Sequence, residues 1–288
     1  MGESGPERMK EYEKRLGSAE IPTTSISGFG RFGIPGLGEG QISGSGHISP
    51  EEIKVSGSSR LPGGLKVGSI ITSGTTTIGG EIEADTVNFS GSTTIRGSLT
   101  FGRLKGSGSL RAEGPAKGGT MHVSGSCKIG GEIVIEDAFV SSGSLEASGD
   151  VVAGGSAELD GVFEVDGKLK TRRLEVSLSR DRSRVERGIE ADYIDIRKGG
   201  RYERIPRFAA RLFGLNDREG DLYTTVIIGG SEVYLENVIC DEVSGVKVTI
   251  GEGCDVRGTI RYAEAIEVHP EARVRNPPEK VDSLDKAA

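Results

Sequence analysis

Tryptophan is absent, and aromatic residues make up only 5% of the 288. That excludes an ordinary globular core organised around large rings. Cysteine is nearly absent too. Cys127, Cys240 and Cys254 are odd in number and lack the spacing of a disulfide framework, which suits a reducing compartment. No window approaches the about 18 apolar residues of a membrane span. The stretch from Met1 to Gly17 is charged and has no apolar core of a signal peptide, so the expected location is the cytoplasm. Net charge is −7, which favours solubility and gives no reason to expect a nucleic-acid partner.

The residues that carry chemistry are equally sparse. The three histidines, His47, His122 and His269, share no phase along the chain, so no metal centre is expected. His122 reads as an outward strand residue and His269 as part of a turn. No G-x-x-x-x-G-K-[ST] is present, and no cofactor is implied. Carboxylate pairs such as Glu81/Glu83 and Glu136/Asp137 read as solvated surface among 43 acidic residues. No catalytic constellation emerges, and the expectation is a protein that is not an enzyme.

What the chain has in excess is glycine, 46 residues of it, placed in order. Glycines six apart recur as Gly40/Gly46, Gly57/Gly63, Gly74/Gly80, Gly91/Gly97, Gly108/Gly114, Gly125/Gly131, Gly143/Gly149 and Gly161/Gly167. Successive pairs lie 17 or 18 residues apart. A fixed short period signals a stacked solenoid, and glycine at constant phase signals a repeated turn with positive φ and close backbone approach. The apolar residues keep the same phase. Leu61, Ile78, Ile95, Ala112 and Ile129 follow the first glycine by four, and Leu65, Ile82, Leu99, Ala116 and Ile133 by eight. Near the end of each repeat come pairs at period two, such as Val87/Phe89 and Met121/Val123, which is a strand signature. The fold class is therefore all-β, a parallel β-helix of 17- to 18-residue rungs. A flexible Gly/Ser linker would have no reason to keep apolar columns in register.

Five regions follow. Residues 1–39 are an N-terminal tail that holds a charged helix near 7–16 and an apolar strip, Gly28 to Leu37, laid over the first rung. Residues 40–197 form the main β-helix, broken at 171–187 where glycine gives way to arginine. Residues 198–221 are an insertion in which Pro206 could open a short helix. Residues 222–275 return to β-helix rungs, and 276–288 form a disordered tail. The segment from Arg172 to Arg211 holds twelve basic and seven acidic residues. Arg172, Arg173, Arg201, Arg204, Arg207 and Arg211 are the candidates for contact with an anionic surface. Solvated loops with internally paired arginines are the plainer reading.

The runs Val55-Ser56-Gly57, Phe89-Ser90-Gly91, Val123-Ser124-Gly125, Ile78-Gly79-Gly80-Glu81-Ile82 and Ile129-Gly130-Gly131-Glu132-Ile133 resemble those of the bactofilins. With Val248 to Cys254, Ile260 to Glu264 and Val268 to Ala272, the similarity covers about residues 40–275. The resemblance implies a right-handed helix, nucleotide-free assembly end to end into cytoskeletal filaments, and scaffolding at a membrane. The partners implied are other copies of the chain, an anionic membrane surface and scaffolded proteins. Phe29, Phe32, Ile34 and Leu37 before the first rung, with Tyr262, Ile266, Val268 and Val274 at the last, would then be the polymerisation ends. A non-polymerising adaptor is the rival reading. An acyltransferase or a sugar-active β-helix would need a strict six-residue repeat or an acid ladder, and neither is present.

Overall fold

The computed structural model of the chain describes residues 21–199 and 221–283. Every described element is a β-strand, and the helices expected near 7–16 and 206–214 lie outside the described residues. The chain forms two compact units, Met1–Gly118 and Gly119–Ala288.

In the first unit, β3 (Glu52–Leu61), β4 (Leu65–Ile78), β5 (Ile82–Ile95) and β6 (Leu99–Ala112) stack in parallel register. Each residue pairs with the one 17 positions on, so Gly57, Gly74, Gly91 and Gly108 form one column and Ile53, Ile70, Val87 and Leu104 another. The second column is buried throughout. At about 1.5–3 kcal/mol per buried aliphatic side chain, such columns are the main force holding the rungs together. Volume is balanced between neighbours: Phe89 lies against Gly106, where an added Cβ would collide with its ring. Buried hydroxyls satisfy one another, Ser59 with Thr76 at 2.9 Å and Thr72 with Thr93 at 3.0 Å.

The ladder does not start at Gly40, as its period predicts. β1 (Thr24–Ile34) and β2 (Gly38–Ile48) are antiparallel to each other, and β2 is antiparallel to β3. The chain reverses at Ile34-Pro35-Gly36-Leu37, where the Leu37 N–H donates to the Ile34 carbonyl and Gly36 takes φ +78°. Proline second and glycine third are what such a turn requires. The corner glycine of β2 is consequently Gly44, opposite Gly57, while Gly40 makes room for the ring of Phe32.

The second unit holds β7 (Ala116–Ile129) from Gly119 on, β8 (Ile133–Ile135), β9 (Ala138–Ala147), β10 (Val151–Val165), β11 (Leu169–Leu178) and β12 (Ser183–Val185). It continues with β13 (Ile189–Lys198), β14 (Leu222–Thr224), β15 (Val226–Leu235), β16 (Val238–Cys240), β17 (Glu242–Ile250), β18 (Asp255–Val256), β19 (Ile260–Val268), β20 (Arg273–Val274) and β21 (Glu279–Lys280). Its strands pair in parallel, through β10–β11, β11–β13, β13–β15, β15–β17 and β17–β19 on the longest side.

The arginine-rich segment 171–187 is not a break. Leu174, Val176, Leu178 and Val185 stay buried in their columns, and the arginines occupy outward positions. From Leu169 to its partner Ile189 the rung spans 20 residues, so the extra length enters between β11 and β12. The insertion likewise falls within the span of one rung. Ile189 pairs with Ile227, 38 residues on; 21 of these (200–220) lie outside the described residues, which leaves the usual 17. The rungs before and after it form one stack. Nor is all of 276–288 a tail, since Glu279 and Lys280 pair with Arg261 and Tyr262.

The two glycine columns have different causes, and the second corrects the expectation of positive φ at every ladder glycine. Gly57, Gly74, Gly91, Gly108 and Gly125 do take positive φ. At Gly91, with φ +103°, an added Cβ would also meet the Gly74 carbonyl oxygen. Their companions six residues on, Gly63, Gly80, Gly97, Gly114 and Gly131, have no positive φ. Gly63 lies in the corner between β3 and β4, and Gly114 in the corner between β6 and β7. In such corners the reason for glycine is backbone crowding from the rung next to it. A Cβ on Gly63 would stand 2.5 Å from the Gly80 Cα, and one on Gly97 2.5 Å from the Glu81 nitrogen. On Gly114 it would stand 2.9 Å from the Gly97 carbonyl carbon, whose oxygen accepts from the Gly114 N–H at 3.0 Å. Beside Gly63 the positive φ falls one residue later, on Gly64 at +74°.

Gly91→Val and Gly97→Val should each lose about 1–3 kcal/mol in chemical denaturation, the first by strain and the second by overpacking. Gly33→Ala, with nothing within 4 Å of the added carbon, should be near neutral. Unchanged midpoints in both valine variants would contradict stacked corners.

Candidate functional site

Among the described residues of the second unit, the interior columns end at the last rung. Met121, Phe139, Ala157, Leu174, Ile194, Val233, Val248 and Ile266 form one interior column by register. A neighbouring column ends Ile196, Leu235, Ile250, Val268, and a third ends Cys240, Val256, Val274. Val248, Ile250 and Val256 are at most 1% exposed. Ile266 and Val274 are only half-buried, and Val268 is 40% exposed. Three columns that are closed along their length thus end uncovered.

Backbone follows the same pattern. β20 pairs only with β18 among the described residues. β21 reaches just Arg261 and Tyr262 of β19, with the Val281 N–H donating to the Tyr262 carbonyl. Residues 265–268 therefore have a partner on one side only among the described residues. Unpaired strand edges of this kind are templates for further pairing. Tyr262 belongs to the covered part of the rung, and Ile266, Val268 and Val274 to the open part.

The N-terminal set divides differently. Phe32 and Ile34 are 7% and 2% exposed, so they are core residues of the antiparallel turn and not an open end. Leu37 sits in that turn, half-buried. Only Phe29 presents its side chain, at 66% exposure, at the middle of β1. Among the described residues, β1 pairs with β2 alone.

The two basic candidates among the described residues, Arg172 and Arg173, are tied up by their neighbours. The Arg173 guanidinium donates to Glu175 at 2.7 Å and lies 4.3 Å from the centre of the Tyr193 ring. Arg197 repeats this with Asp195 at 2.7 Å and Tyr234 at 4.6 Å. Hydrogen bonding to Glu175 and Asp195, ahead of their charge, raises both guanidinium pKa values further. Arg172 donates through Nε to the Gly154 carbonyl. Arg184 pairs with Glu186, and Lys170 with Glu190 at 2.7 Å. The Arg/Tyr/carboxylate face was missed in the sequence, although Tyr193-x-Asp195-x-Arg197 and Tyr234-x-Glu236 carry its period-two signal. Arg201, Arg204, Arg207 and Arg211 lie outside the described residues.

No group of metal-holding side chains occurs among the described residues, and no described helix could cross a membrane. His122 and His269 are exposed. His47 Nδ1 stands 3.2 Å from Ser25 Oγ in the β1–β2 hairpin. No protein-family model, curated protein or solved structure matches the chain.

All three cysteines are free and buried. Burial pushes the thiols of Cys127 and Cys240 up to about 12, and that of Cys254 up to about 11, from an ordinary 9.0. They act as small apolar fillers of interior columns. Native protein at pH 8 should therefore react with a thiol reagent only after unfolding. Above pH 9.0 the unfolded thiols ionise while the folded ones stay neutral, so stability should hold below that pH. It should fall as pH rises from 9.0 toward about 12. Rapid labelling of native protein would contradict the burial.

Proposed function

We propose that this chain is a non-enzymatic structural protein that self-associates end to end, without nucleotide, into filaments that act as a scaffold. The observation that carries this reading is the open last rung of the second unit, where Ile266, Val268 and Val274 continue buried columns into solvent. Solenoids that stay monomeric need end repeats with a polar outer face. Here the terminal positions Ile266, Val268 and Val274 are apolar, and the strand edge is unpaired among the described residues. The first unit contributes Phe29 and the outer edge of β1. The resemblance of the Ser-Gly rungs to the bactofilins supports the same conclusion.

Electron microscopy of purified full-length protein without nucleotide should show filaments. Ile266→Asp and Val268→Lys would place a charge without a partner in the end contact. They should leave the strand content of the circular dichroism spectrum unchanged and reduce the assembly to short species in light scattering. A parent protein that stays monomeric at high concentration across salt conditions would overturn the reading.

Scaffolding at an anionic membrane surface extends this proposal, through Arg201, Arg204, Arg207 and Arg211 of the insertion. These four and Arg218 share the stretch 200–220 with Glu203, Asp217 and Glu219, with Asp221 close by, so attraction should be modest and salt-sensitive. Co-sedimentation with anionic vesicles should occur at low salt and fade at high salt. No co-sedimentation at low salt would remove the membrane from the proposal.

A further inference from the structure

The second unit carries a groove of about 950 Å³ that crosses six strands in succession, β10, β11, β13, β15, β17 and β19. Its lining changes along the way. β15 and β17 contribute Ile228, Gly229, Gly230 and Val246, which bear no charge, whereas β13 contributes the carboxylates Glu190 and Asp192. Glu190 Oε1 accepts from Lys170 at 2.7 Å. Its Oε2 is buried without a hydrogen-bond donor, Lys168 Nζ being 3.6 Å away. A buried acceptor in that state has an unmet demand for a further donor.

At the β19 end the groove is lined by Ala263 and Glu264 and also by Asp282 and Ser283, which follow β21. The chain therefore runs from β21 into the groove. β21 has little of its own to keep it in place. Both its residues are exposed, and it is held by two register partners and by the Val281 N–H donating to the Tyr262 carbonyl. Ahead of it, the Asn276 side-chain amide donates to the Gly258 carbonyl at 3.1 Å, which ties down one side of the strand. Beyond the other side come Leu284-Asp285-Lys286-Ala287-Ala288, outside the described residues.

We infer that residues 284–288 of the same chain occupy this groove and anchor β21 on the last rung. Leu284 covers Val246 and Ile228, and the Lys286 ammonium meets Glu190 Oε2 and Asp192. The reach agrees. From β19 to β13 is three strand spacings, about 14 Å. Three extended residues, from 283 to 286, cover roughly 10 Å, and the four-carbon stem of lysine covers the rest. The charge agrees as well. Glu190, Asp192, Glu264 and Asp282 line the groove against Lys170 and Arg172, and both of these cations already have partners. A segment tethered at Ser283 also meets the groove at high effective concentration, so one leucine and one lysine can suffice where a free peptide would not bind.

Hydrogen exchange at the Val281 amide, on dilute full-length protein, tests this because that amide is held by its bond to Tyr262. Leu284→Asp should speed its exchange about tenfold, the worth of one buried leucine side chain. Lys286→Glu should speed it too, and Lys286→Arg should not. Proximity is tested with cysteine pairs, since the three native thiols are buried. Ile228 lies two strand spacings into the groove from β19. Mild oxidation of the Ala287→Cys/Ile228→Cys variant should close a disulfide within one molecule. The Ala287→Cys/Ile239→Cys variant, with its second site on β16 outside the groove, should not. Three results would each overturn the proposal: Val281 exchange unchanged in both Leu284→Asp and Lys286→Glu, equal disulfide yield from the two cysteine pairs, or a disulfide that forms only between molecules.

Discussion

In-register pairing of parallel strands sets the terms for everything else in this protein. Each rung covers the apolar side chains of the rung before it and depends on the next rung to cover its own. Val87 is closed by Ile70 and Leu104, and Val248 by Val233 and Ile266. The same demand repeated at every level explains why the composition can be so plain. A column of Ile, Leu, Val and Ala closes itself without tryptophan and with few rings. It also explains why the ends matter, because a stacked column has no internal way to finish. The two units meet this differently. The first begins with a reversed hairpin that buries Phe32 and Ile34, whereas the second has β21 over only part of its last rung.

Much of this was legible in the sequence because the constraint acts on one residue type at one phase. One corner of each rung in the glycine ladder requires positive φ, as at Gly91. The next requires close backbone approach without it, as at Gly63, Gly97 and Gly114. Both demands leave glycine and little else, so the period is written plainly while the two causes behind it are not told apart. Strand direction is not written that way either. An antiparallel strand carries the same Ser-Gly-Ser corner, at Ser43-Gly44-Ser45, and Gly40 falls on the ladder period while serving only to seat Phe32. The arginine-rich segment misled for the opposite reason. Its corner is longer and needs no glycine, but Leu174, Val176 and Leu178 still obey the interior pattern.

The candidate end residues show the same division. Membership of the interior columns at the C-terminal rung could be anticipated from apolar phase, and Ile266, Val268 and Val274 are where the columns stop. Phe32 and Ile34 have the same apolar character but a different fate, because a proline-glycine turn folds them inward. Charge was harder to read. A count of arginines takes no account of Glu175 and Asp195 two residues from Arg173 and Arg197, nor of the Tyr193 and Tyr234 rings beneath them. Most of the basic charge described here is therefore spent within the face that bears it.

The account stands on whether the open rung is closed by another copy of the chain. Hydrogen exchange read by mass spectrometry, on dilute and on concentrated protein, addresses that directly. Within residues 265–268 and 273–274, the amides that face away from β17 and β18 should exchange rapidly when dilute and become protected on concentration. Amides of the already closed β13 and β15 should be protected in both. Protection at 265–268 that does not change with concentration, in either direction, would contradict the account.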